Sequence, residues 1–131
     1  MKLFSGKRPH HLGHKSGQLA KCPPTPNCVS SQGSGKSAIA PYSTKENPDS
    51  TWKNLVAIIN LLPEATVVQQ NEEYLHAEFS SALLGFVDDV EFYHDTSHQL
   101  IHCRSASRLG FSDLGKNRQR IEKIRKQLAT Q

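Results

Sequence analysis

ATVVQQNEEYLHAEFSSALLGFVDDVEFYHDTSHQLIHCRSAS, residues 65–107, is the stretch that decides the fold. Residues 65–70 are rich in β-branched side chains and end at Asn71-Glu72, a turn pair. Residues 74–80 alternate, with Leu75, Ala77 and Phe79 on one side and Tyr74, His76 and Glu78 on the other. Residues 86–94 alternate likewise: Phe86, Asp88, Val90 and Phe92 against Val87, Asp89, Glu91 and Tyr93. After the turn Asp95-Thr96-Ser97-His98, residues 100–107 set Ile101, Cys103 and Ser105 against Leu100, His102, Arg104 and Ala106. Such short connections cannot hold crossovers, so the four strands form an antiparallel meander.

Helical periodicity flanks the meander. Trp52, Leu55, Val56, Ile59 and Leu62 make one apolar face, predicting a helix from Pro48 to Leu62 with Asn47 as N-cap and Pro63 as its stop. Leu114, Ile121, Ile124 and Leu128 predict a second helix from Ser112-Asp113 to Ala129. The expectation is an α+β fold of order α-β-β-β-β-α, a four-stranded antiparallel meander with both helices packed on one face. Ahead of this domain, residues 48–131, lie two segments of different composition. Residues 22–47, with Pro23, Pro24, Pro26, Pro41, Gly33 and Gly35, predict an extended segment laid on the domain and pinned by Ile39, Pro41 and Tyr42. Residues 1–21 are basic and polar, too poor in apolar surface to offset ordering entropy, and predict a flexible tail.

The 131 residues carry 16 Lys and Arg against 12 Asp and Glu, with Lys2, Lys7, Arg8, Lys15, Lys21 and Lys36 in front and Arg118, Arg120, Lys123, Arg125 and Lys126 behind. A basic terminal helix can track phosphates, yet it is more commonly a solvated face, and nucleic acid is not expected as a partner. The longest apolar run, Leu55 to Leu62, is interrupted by Asn60, so no transmembrane segment is predicted. With no apolar stretch near its start, the chain as written reads as cytoplasmic.

Three clusters could carry chemistry. The richest is Arg104 to Arg118, crowded with hydroxyls, glycines and arginines between the last strand and the last helix. Arg118, four residues after Leu114 and three before Ile121, falls on the apolar stripe and needs a partner, with Asp88, Asp89 and Asp113 in reach of the pattern. Either Arg118 with Arg104 or Arg108 locks the corner to Asp88 or Asp89, or Arg104, Ser107, Arg108, Asn117 and the helix start bind an anion. The cost of unpaired acids favours the ion-pair network. The second cluster is the polar sheet face: His76, Glu78, Asp89, Glu91, His102 and Arg104. Carboxylates beside imidazoles can hold a divalent metal or serve as acid and base. A water-facing sheet with cross-strand charge pairs accounts for them more simply. The third is Cys22-Pro23-Pro24-Thr25-Pro26-Asn27-Cys28, compatible with a disulfide loop, with free thiols, or with zinc aided by His10, His11 or His14, although zinc pairs usually have shorter gaps. The odd cysteine, Cys103, reads as a buried small hydrophobe. Neither a nucleophile elbow nor a phosphate-binding Walker loop is present.

Three blocks, Cys22–Ser31, Gly85–Phe92 and Arg104–Arg118, resemble an uncharacterised family catalogued as domain of unknown function 1499. The resemblance spans residues 20–128. Several members carry export or lipoprotein signals, which implies an extracytoplasmic location and a Cys22–Cys28 disulfide, whereas this sequence shows no such signal. It also implies a shared site at a corner where Asp88, Asp89, Glu91, Arg104, Arg108, Asp113, Asn117 and Arg118 converge. The expected function is a non-enzymatic module binding an anionic small molecule or partner through Arg104, Ser107, Arg108, Asp113, Asn117 and Arg118. The alternatives are a metal-assisted hydrolase or lyase on the polar face, and a structural or assembly protein. No cofactor or metal is expected.

Overall fold

The computed structural model describes residues 4–81 and 84–131. Lys2 of the basic tail, and Ala82 and Leu83 of the connection after residue 80, lie outside them. The elements run β1 (His14–Lys15), β2 (Gln18–Leu19), β3 (Cys28–Ser30), a 3-10 turn (Gly35–Ser37), β4 (Tyr42–Ser43), α1 (Thr51–Leu61), β5 (Ala65–Gln70), β6 (Tyr74–Ser80), β7 (Val87–Asp95), β8 (Leu100–Ser107) and α2 (Lys116–Ala129). The fold is α+β, with the meander β5-β6-β7-β8 antiparallel throughout.

The sheet has six strands, not four. β3 and β4 both pair with β8, antiparallel, at its C-terminal and N-terminal halves respectively. The proline-rich segment is extended and lies on the domain, and two stretches between its prolines are free to donate and add short strands, for which an edge position needs only a few backbone bonds.

One sheet face and both helices share a single core. Leu75, Ala77, Phe79, Val90, Phe92, Ile101 and Cys103 pack with Trp52, Leu55 and Ile59 of α1 and Ile121 and Ile124 of α2. Each fully buried aliphatic or aromatic side chain contributes about 2 kcal/mol. Ile39 and Tyr42 join this core, and the Tyr42 hydroxyl donates to the Ile121 carbonyl at 2.7 Å.

Both helices start later than expected. α1 begins at Thr51 rather than Pro48, and Asn47 contributes its carbonyl, not its side chain, accepting from the Thr51 hydroxyl at 2.7 Å. α2 begins at Lys116 because Leu114 and Gly115 have φ of 54° and 82°, a left-handed pair that no α-helix contains. Leu114, expected on the buried stripe, is therefore 91% exposed, and Asn117 takes the buried position one turn before Ile121.

The polar sheet face does not meet water. Residues 4–21, expected as a free tail, lie across it: Phe4 stacks on Phe86, Arg8 reaches Glu78, and the Gly13 amide reaches Glu91. The Arg8 side chain and the Gly13 amide give these carboxylates polar partners.

Candidate functional site

Strand alternation sends the predicted corner residues to two opposite faces of the sheet. Asp88 and Asp89 are neighbours in β7, so one points under α2 and the other outward. The expected convergence of Asp88, Asp89, Glu91, Arg104, Arg108, Asp113, Asn117 and Arg118 at one site does not occur.

The outer layer is built on β6, β7 and β8, where register places His76 opposite Glu91, Glu78 opposite Asp89, and Glu91 opposite Arg104. Arg108 grips Asp89 through Nε at 2.8 Å and Nη2 at 2.9 Å, and its Nη2 also donates to Glu78. His76 Nε2 donates to the same Asp89 carboxylate at 2.8 Å. Burial pushes the Asp89 and Glu78 carboxyls up, but the arginines and His76 outweigh it and hold both below their usual range. Glu91, fully buried, accepts from the Tyr74 hydroxyl and, at 2.7 Å, from the Gly13 amide. Its other oxygen faces Arg104 Nη1 at 3.7 Å, beyond hydrogen-bond reach. That oxygen and Arg104 Nε are buried without a hydrogen-bond partner. Burial lowers the Arg104 guanidinium from its usual value, against the pull of Glu91 and Asp89.

His76, Glu78 and Asp89 bring three ligand atoms within 4.8 Å of one another, the spacing a metal ion needs. The guanidinium of Arg108 already lies against both carboxylates, so a fixed cation occupies the place a divalent ion would take.

The inner layer centres on Asn117. Its Nδ2 donates to Asp113, Ser107 and the Asn27 carbonyl at 2.6, 2.9 and 3.1 Å. Its Oδ1 accepts from Ser105 at 2.6 Å and Arg120 at 2.8 Å. Asp113 takes the amides of Gly115 and Asn117, satisfying donors at the start of α2, and these bonds hold its carboxyl low despite burial. Asp88 pairs with Arg120 at 2.7 Å, and the Arg120 guanidinium covers the Phe79 ring. Arg120, Asn27, Tyr74 and Gly13 escaped sequence reading; only Asn27 stood inside a recognisable motif.

Arg118, expected on the apolar stripe beside an acid, is neither. The buried positions of α2 are 117, 121 and 124, and Arg118 lies beside that stripe on the flank. It donates at 2.7 Å to the Lys36 carbonyl. Together they line a cleft of about 480 Å³ beside the Cys22–Cys28 disulfide, with Ser34, Ser37, Ser112, Asp113 and Gly115 on its walls. Of the predicted ligand-binding set, this cleft gathers Asp113 and Arg118, while Arg104 and Arg108 belong to the outer layer and Ser107 and Asn117 to the inner one.

A search of curated proteins and a search of solved structures each found no match. Residues 18–128 match the model of a family described as "Protein of unknown function (DUF1499)". That stretch contains both polar layers, the disulfide and the cleft, and it takes in most of the chain, which therefore belongs to the DUF1499 family.

Proposed function

We propose that the chain is a non-enzymatic binding module whose ligand is a small anion or an anionic group on a partner, held in the cleft between the disulfide loop, residues 34–37 and the start of α2. One observation carries the reading: Arg118 and Lys36 line the same cleft, and among the described residues neither pairs with an acid. Elsewhere the arginines of the corner are spent on carboxylates, Arg108 on Asp89 and Glu78, and Arg120 on Asp88. Two cations across a cleft walled by hydroxyls suit a phosphate or carboxylate better than a neutral ligand. Asp113 lines the same cleft, but its carboxylate is turned to Gly115 and Asn117. The disulfide supports residence where thiols are oxidised.

The test is a titration of the ¹⁵N-labelled protein with inorganic phosphate. Saturable shifts are expected at the amides of Ser34, Lys36, Ser37 and Gly115, weakening with added salt. Arg118→Gln should reduce the affinity about tenfold. Shifts that are absent, or that survive both Arg118→Gln and Lys36→Gln, would remove the proposal.

A further inference from the structure

Residues 4–21 meet the domain in the manner of a bound peptide. Their two short strands pair only with each other, His14 with Leu19 and Lys15 with Gln18. They reach the six-stranded sheet mainly through side chains and single backbone groups. Arg8 donates to Glu78 at 2.6 Å, the Gly13 amide donates to Glu91, and the Lys21 carbonyl accepts from Arg104 at 3.5 Å. His14 sits over Tyr93 with ring centroids 4.5 Å apart. Gly17 passes so close to that tyrosine that a Cβ would lie 3.0 Å from its ring. Further on, Gln32 receives the Leu19 amide and donates to the Gly17 carbonyl. The track turns back in a two-residue hairpin at Ser16-Gly17, and it is read by donors, a cation and a glycine.

Charge explains the cation. Three carboxylates on this face, Glu78, Asp89 and Glu91, meet two guanidiniums, Arg104 of β8 and Arg108 just beyond it, and Arg8 supplies the remaining positive charge from outside. Arg8 is 54% exposed, so a competitor can reach its position. Beneath the segment, one oxygen of Glu91 and Nε of Arg104 still lack hydrogen-bond partners although both residues are almost fully buried. The segment thus fills the face without saturating it. The face lies inside the stretch matched by the family, residues 18–128, and most of the segment covering it does not.

We infer that the outer face of the sheet is a receptor surface for an arginine-bearing peptide that folds back in a hairpin, and that residues 4–21 occupy it in cis. This site is separate from the anion cleft and stands or falls independently of it.

The experiment uses the full chain opened by Arg8→Glu with Gly13→Pro. The first places like charge beside Glu78; the second removes the amide that Glu91 accepts, at a φ of 101° that proline cannot adopt. A fluorescent peptide with the sequence of residues 4–21 is titrated by anisotropy. It should bind the opened chain at least about tenfold more tightly than the unaltered chain, where the tethered copy competes at an effective concentration on the order of millimolar. Glu78→Gln added to the opened chain should weaken binding about tenfold, and a peptide carrying Arg8→Glu should not bind. Retained near-ultraviolet circular dichroism shows that the core is intact. If it is lost, Arg8→Ala alone serves as the opened background, because Arg8 touches the domain only at its surface. An intact opened chain that ignores the peptide, or binds both peptides alike, overturns the inference.

Discussion

Asn117 connects four parts of the chain, the disulfide loop through Asn27, β8 through Ser105 and Ser107, the turn through Asp113, and its own helix through Arg120. Replacing it with leucine keeps the volume but strands several buried polar groups, each costing roughly 1–3 kcal/mol. Asn117→Leu should therefore lose about 3 kcal/mol in urea denaturation, and a loss below about 1 kcal/mol would show the network to be dispensable. On the outer face, Asp89→Asn removes the carboxylate that Arg108 grips with two nitrogens while Arg108 stays buried. A loss of about 3–5 kcal/mol is expected by the same measurement. Cys103 gives a chemical readout: burial pushes its thiol up to about 12, so it should ignore a thiol reagent in the native state and react once the protein is unfolded. Of these residues, Asn117 was visible in the sequence as a site candidate. Arg120 was not, because its partner Asp88 lies on a strand whose facing depends on the helix above it.

The start of α2 shows why a periodic pattern can mislead at the scale of an element. Leu114 fits the spacing of Ile121 and Ile124, yet Leu114 and Gly115 both have positive φ, so the helix cannot extend back through them. Gly115 has open space around its missing Cβ, so Gly115→Ala introduces strain and no clash, and should cost about 1 kcal/mol in thermal or urea unfolding. On that helix the buried stripe runs through Asn117, Ile121 and Ile124, which leaves Arg118 on the flank, where its guanidinium reaches the Lys36 carbonyl and no acid. The disulfide loop holds the opposite wall. Cys22 and Cys28 are six residues apart, a short loop, so reduction should cost about 2 kcal/mol. It should also loosen the cleft, seen as weaker phosphate-induced shifts at Ser34 and Ser37.

Seen whole, the molecule is a sheet with a greasy core on one side and charge on both, an ionic layer under residues 4–21 and a smaller one where α2 meets β7 and β8. Asp89, Glu78 and Asp113 all have carboxyls held below their usual range, by Arg108 and His76, by Arg8 and Arg108, and by Asn117 with Gly115. A depressed folded value means that the stabilisation is complete above the unfolded value, near 3.8 for Asp and 4.5 for Glu, and disappears as pH falls through the folded one. Unfolding free energy should therefore be flat above about pH 5 and drop steeply below pH 4, with Asp89→Asn flattening the acid limb. A pH-independent stability down to pH 3 would contradict the assignment. The four strands of the meander, both helices and most of the core were already legible in the amino acids, since alternation and the 3.6-residue period are local signals, though they misplaced Leu114. What covers the polar face, which arginine meets which acid, and where the proline-rich segment adds edge strands were settled only in three dimensions. Those outcomes depend on groups such as Arg8 and Glu78, 70 residues apart, whose meeting is set by strand register and chain path and leaves no periodic trace in the sequence.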